Sequence, residues 1–240
     1  MEPPRALARI GGVLYLVIIV LGFWQEAFVR DRLVVSGDAA ATAVNLHAME
    51  PLWRLGIAAE FVLLICAILV LWILYLLLRP VSRDLALLAV FLNVVSIAIE
   101  GAVAMSLIEA LFPLGNAHYL EAFTPGQLQA LASLAIRSHA YGFGASLIFF
   151  GCFCLVIGAL ISRSGYIPRL IGVLMQIAGS CYLINSFALL VAPGVANRIF
   201  PAILLPALVG ESSLCLWLIV RGVDADQWRA LTHAPRPAAT

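Results

Sequence analysis

Residues 61–78 read FVLLICAILVLWILYLLL, a run of 18 residues without a charge, and this run decides the fold. At a helical rise of 1.5 Å per residue such a run covers about 27 Å, close to the roughly 30 Å hydrocarbon core of a bilayer. Its apolar flank extends the predicted span to Leu55–Leu78. The same reading predicts five more spans, at Ile10–Val29, Leu85–Phe112, His139–Ile161, Arg169–Ala192 and Ile199–Val220. Backbone polar groups in lipid must bond within their own segment, so the spans are helices. Strands are excluded, because the runs are too long and do not alternate in polarity. The expected fold is an all-α polytopic membrane bundle of six transmembrane helices.

Composition points the same way. The 240 residues are 63% hydrophobic and 11% charged, whereas a soluble domain carries about a quarter charged residues. Such a chain cannot cover a surface in water. A net charge of +1 creates no field for nucleic acid, which is not an expected partner. All 14 basic residues are arginine, as an Arg-rich genome would give. Cys66, Cys152, Cys154, Cys181 and Cys215 all lie in apolar runs, so they read as small buried hydrophobes and not as a disulfide framework. The Cys152-Phe153-Cys154 stretch lacks the two-residue gap of a metal or redox pair.

Arg5 and Arg9 precede the first span, as in a signal peptide. Its far end reads Phe23-Trp24-Gln25-Glu26, without the small residues of a cleavage site, so it is read as a retained helix. Arginine placement gives the orientation. Nine arginines (Arg5, Arg9, Arg79, Arg83, Arg163, Arg169, Arg221, Arg229, Arg236) fall on the side of the termini and five on the other. The positive-inside rule then puts both termini in the cytoplasm. Residues 1–223 are expected to form one membrane domain, and 224–240 a short cytoplasmic tail without fixed structure.

The outer connections are long enough to hold helices of their own. Gly37-Asp38 caps an Ala-rich stretch that Pro51 is expected to close. Thr124-Pro125-Gly126-Gln127 reads as a capping box with Pro at the first helical position. That helix is expected to run into the fourth span, bending at Gly142 and Gly144.

Several phrases, in order, carry a family resemblance. They are Gly12-Val13-Leu14-Tyr15 with Glu26 and Arg30, Gly37-Asp38-Ala39-Ala40-Ala41-Thr42 with Asn45, and Arg54-Leu55-Gly56-Ile57. His139-Ala140-Tyr141-Gly142, Arg163-Ser164-Gly165-Tyr166 and Leu204-Leu205-Pro206-Ala207 with Glu211 follow. Together they resemble the bacterial multi-pass membrane family known as domain of unknown function 4386, from about Ala8 to Val223. The resemblance implies a bacterial plasma-membrane protein and brings no reaction, cofactor or catalytic residue with it.

Carboxylates inside a membrane cost roughly 3 kcal/mol each at the bilayer centre, so their positions are informative. Glu26, Glu60, Glu100 and Glu211 lie within predicted spans, and helical rise puts most of them, with His139 and Asn185, in the outer half. The candidate polar pocket is Glu26, Arg30, Arg54, Glu60, Glu100, His139, Asn185 and Glu211. Glu26–Arg30 and Glu50–Arg54 are i,i+4 pairs that local ion pairing explains. His139 reads as a boundary residue. Asn93, Ser96 and Glu100 share one face and suit interhelical hydrogen bonds as well as a pathway. Glu60, Glu100 and Glu211 have no local partner, which leaves them as functional candidates or as structural partners of Arg54, Arg137 or one another. Gly144, Gly151 and Gly158 recur every seven residues and read as a helix-packing stripe.

No phosphate loop, paired-histidine zinc motif or haem motif is present, so no cofactor or metal is expected. Three classes of function stay open. One is a binding, sensory or accessory protein whose outer-half pocket takes a small or lipid-like ligand. The second is a membrane-embedded enzyme for a lipidic substrate, and the third a small-solute or proton-coupled transporter. The spans lack the paired Gly/Pro interruptions of discontinuous transport helices, which favours the first two. The partners implied are the bilayer, a lipid or small-molecule ligand and, in a homo-oligomer, further copies of the chain.

Overall fold

A computed structural model describes residues 4–233, and these contain helices and turns with no strand. Six helical segments, Pro4–Leu33, Glu50–Leu78, Arg83–Leu114, Pro125–Ser164, Arg169–Val191 and Ala202–Val220, are long and apolar enough to cross a membrane. The chain is therefore a multi-pass membrane protein, and each predicted span has its helix. We label α1 Pro4–Trp24, α2 Ala39–Ala48, α3 Glu50–Leu78, α4 Arg83–Glu109, α5 Pro125–Ser164, α6 Arg169–Val191, α7 Leu205–Val220 and α8 Ala225–His233. Large apolar side chains such as Phe23, Phe91, Leu170 and Val220 are more than 60% exposed, which only lipid makes tolerable.

Several boundaries differ from the sequence reading, each for a local reason. The first span continues past α1 through a π-helical segment, Gln25–Arg30, and a last turn, Asp31–Leu33. α5 begins at Pro125, where the expected capping box closes, and runs on through the fourth span as expected: Thr124 N–H donates to Gln127 Oε1 at 2.8 Å, and Gln127 N–H to Thr124 Oγ1 at 3.4 Å. Its 40 residues stay α-helical through Gly142 and Gly144. Asp38 caps α2 by accepting from Ala41 N–H at 2.9 Å. Pro51 stands in the first turn of α3 and does not close α2, which ends at Ala48. The tail, expected to lack structure from residue 224, forms α8 up to His233; residues 234–240 lie outside those described. Asp224 starts it, accepting from the N–H groups of Asp226 and Gln227 at 3.0 and 3.2 Å.

The packing divides into two compact units. Among the described residues the first takes in Pro4–Leu16, Ala67–Ser96 and Leu147–His233; the second is Val17–Cys66 with Ile97–Ser146. In the first unit, α5 and α6 approach until only glycine fits. A Cβ on Gly151 would stand 2.9 Å from Gly179 O, and one on Gly158 2.5 Å from Gly172 O. Two of the three glycines in the heptad stripe thus meet partners on α6, which is itself spaced by seven. Gly144 is buried in the second unit. The first unit also holds α8: Leu77 O accepts from Tyr166 O–H at 2.6 Å and from Trp228 Nε1–H at 3.0 Å. Leu77 lies in the last turn of α3, where carbonyls lack helical partners. Burial pushes the Tyr166 phenol above its ordinary value, so it stays a donor. All five cysteines are free, four of them buried and Cys152 half-buried.

The second unit packs Val29, Leu33, Leu46, Trp53, Ile57, Leu107 and Leu111 into one core. α2 lids this core with Leu46, which is fully buried, and Trp53 donates its indole N–H to Leu107 O at 2.8 Å. That bond satisfies a carbonyl near the end of α4 while the ring fills the interior.

Candidate functional site

The π-helical segment carries Gln25, Glu26 and Arg30, and its winding decides what they do. A π-turn bonds i to i+5, which brings residues five apart into register. Arg30 Nη2 donates to Gln25 Oε1 at 3.1 Å, and Arg30 Nε pairs with Glu26 at 3.4 Å. The same guanidinium reaches α3, where Nη2 meets Glu60 Oε2 at 3.1 Å. Gly56, one turn before Glu60, makes that approach feasible: its missing Cβ would stand 3.0 Å from Val29 Cγ1. The Glu60 side chain is 3% exposed and that of Glu26 54%, so Arg30 joins a buried carboxylate to an open one.

Glu100 on α4 completes the cluster. Its carboxyl lies beside that of Glu60. A carboxylate only accepts, so a carboxyl–carboxyl bond exists only while one of the two carries a proton. Three carboxyl groups thus lie around one guanidinium. His139, expected at a boundary, is instead 2% exposed in the interior of α5, stacked on Phe143 at 6.3 Å between centroids. Its Nε2 has no hydrogen-bond partner among the described residues, nor does Gln25 Nε2. A void of about 10 Å³ lined by Gln25, Arg30, Trp53, Gly56 and Leu107 has room for one water molecule.

The other expected site residues lie elsewhere. Arg54 pairs with Glu50 at 2.7 Å on an exposed surface, and Arg137 is exposed. Asn185 is buried in the first unit. Glu211 is also in the first unit, braced by two tyrosines: one oxygen accepts from Tyr15 O–H at 2.9 Å and the other from Tyr182 O–H. Phe150 packs its ring against Tyr182 at 5.3 Å, edge to face. Both Glu211 oxygens are satisfied without a cation. Sequence reasoning missed Tyr15, Tyr182 and Gln25 as site residues. A tyrosine in an apolar run carries no polar signal until its partner is known, and Gln25 looked like the polar edge of a span. Among the described residues no group of three or more His, Cys, Asp or Glu could hold a metal ion.

The family model described as "Domain of unknown function (DUF4386)" matches residues 10–222. An uncharacterized protein of the archaeon Archaeoglobus fulgidus is 30% identical over 167 residues, which are 70% of this chain and 83% of the relative. No solved structure matches.

Proposed function

The chain belongs to the family described as domain of unknown function 4386, and from that premise we propose a membrane protein in a binding or accessory role whose ligand at the Arg30 cluster is a proton. The observation that carries this reading is the adjacency of the Glu60 and Glu100 carboxyl groups beside Arg30. Glu60 is enclosed, and the adjoining void of about 10 Å³ takes no solute larger than water. A proton needs no pocket. The π-helical segment supports the assignment, since such winding weakens the regular helix and is frequent at functional sites. Glu26, half open, gives the proton a way in or out.

Infrared difference spectra of the purified protein in lipid, between mildly acidic and alkaline buffer, test the assignment. The parent is expected to show the carbonyl band of a protonated carboxyl, and Glu100→Gln to lose that component while Glu109→Gln, an exposed position, keeps it. The same band in parent and Glu100→Gln would remove the proton from this site.

We place the protein in the bacterial plasma membrane with both termini cytoplasmic, on the strength of nine arginines against five. A reporter active only outside the cytoplasm is expected to give signal when inserted at Ala117 and none when fused to the C-terminus. The reverse pattern would invert the orientation.

A further inference from the structure

A cavity of about 400 Å³ opens where α5 ends and α6 begins, lined by Ala159, Ser162, Arg163, Arg169, Val173 and Gln176. Its geometry follows from the glycine contact beside it. Gly158 and Gly172 hold the two helices together, a Cβ on Gly172 standing 2.6 Å from Gly158 O and 2.8 Å from Ser162 N. The turn is fixed: Gly165 takes φ +76°, Ser164 Oγ accepts from Ile167 N–H at 3.3 Å, and Tyr166 is tied to Leu77 O.

Arg163 and Arg169 both line this cavity, and neither has a carboxylate partner among the described residues. Ser162 Oγ, buried at the same place, has no hydrogen-bond partner. The first turn of α6 offers further N–H groups, because its N-cap, Pro168, has no side-chain cap bond. The site is thus rich in donors, bears two positive charges and has no carboxylate in its lining.

We infer that this cavity binds the phosphate headgroup of an anionic phospholipid. Position selects lipid over a dissolved anion: Arg163 and Ser164 end one membrane-crossing segment, and Arg169 begins the next. The surface beside the cavity also fits a lipid tail. Val173, Ile177 and Ile184 fall on one side of α6 at helical spacing, are 39%, 44% and 55% exposed, and continue directly from the cavity wall. Basic pockets between transmembrane helices are a known route to headgroup recognition. Arg163 and Arg169 would grip the phosphate, Ser162 and Gln176 would donate to its remaining oxygens, and the acyl chain would lie along α6.

The intact protein in detergent is titrated with short-chain phosphatidylglycerol, short-chain phosphatidylcholine or inorganic phosphate, and the shift in thermal unfolding is recorded. Phosphatidylglycerol is expected to stabilise the parent and phosphatidylcholine to do so at least roughly tenfold less effectively. The Arg163→Gln, Arg169→Gln double variant is expected to weaken phosphatidylglycerol roughly ten- to thirtyfold. An Arg5→Gln, Arg9→Gln variant, which removes the same charge away from the cavity, is expected to bind as the parent does. Equal binding in the first double variant, or equal loss in the second, overturns the inference. A shift with inorganic phosphate alone that matches phosphatidylglycerol would reassign the cavity to a free anion. Mass spectrometry of lipid copurifying with the parent needs no variant: phosphatidylglycerol is expected to be enriched over the bulk membrane, and a bulk-like composition counts against the site.

Discussion

Gly179→Leu is expected to abolish the folded protein, and Gly179→Ala alone to lower its stability by about 1–3 kcal/mol. The reason is backbone contact. A Cβ at Gly179 would stand 2.5 Å from Gly151 O and 3.0 Å from both Leu155 N and Leu155 Cγ. A carbonyl oxygen cannot rotate away as a side chain can, so α5 and α6 would have to separate. Separation would also open the reciprocal contact of Gly158 with Gly172, where the approach is 2.5 Å. In lipid no hydrophobic driving force draws two apolar helices together, and close backbone packing carries that role instead. The matched control is Gly126→Ala. Nothing lies within 4 Å of a Cβ there, and the position is inside the first turn of α5, so the substitution should be neutral or stabilise by up to about 1 kcal/mol. Recovery of monodisperse protein and the thermal unfolding midpoint in detergent give the readout. A Gly179→Ala variant that melts with the parent would mean the helices are not held by this contact.

That stripe also marks how much the sequence could carry. Gly151 and Gly158 were legible because a seven-residue spacing keeps one helix face in register, and their role follows from being small. The membrane spans were legible because hydrocarbon thickness sets a length that few other constraints imitate. Local capping was legible for the same kind of reason: Asp38 and the Thr124–Gln127 box act within four residues of chain. What stayed hidden is long range. Glu211 draws on Tyr15, 196 residues away, and Tyr182, 29 residues away. Arg30 illustrates a different failure, since its i,i+4 partner Glu26 is real but shares the guanidinium with Glu60, 30 residues on. The π-turn that aims it leaves no trace in hydrophobic spacing. His139 was misplaced because an apolar window begins where lipid-like composition begins, whereas α5 had already started at Pro125.

Arg30→Met is expected to cost about 3–5 kcal/mol, the range for breaking a buried ion pair by removing one partner. The loss is large because Glu60, with a side chain 3% exposed, would keep its carboxylate enclosed without a counterion. Glu26→Gln is expected to cost less than about 1 kcal/mol, since that partner is 54% exposed and screened. The decisive variant is the double one. If stranded charge is the cause, Arg30→Met with Glu60→Gln should recover most of the loss, because the remaining amide can still bond to the Glu100 carboxyl without holding a charge. If Arg30 instead acts by filling space beside Val29 and Trp53, the second substitution restores nothing and the two costs add. Unfolding of the four proteins in detergent, read by loss of helical circular dichroism, closes the cycle. A coupling energy near zero would detach Glu60 from Arg30 and remove the physical basis for a proton site at that cluster. A large one would show that the cluster's charges are balanced as a set, so that a proton shared by Glu60 and Glu100 would answer to the same guanidinium that links them to the open carboxylate of Glu26.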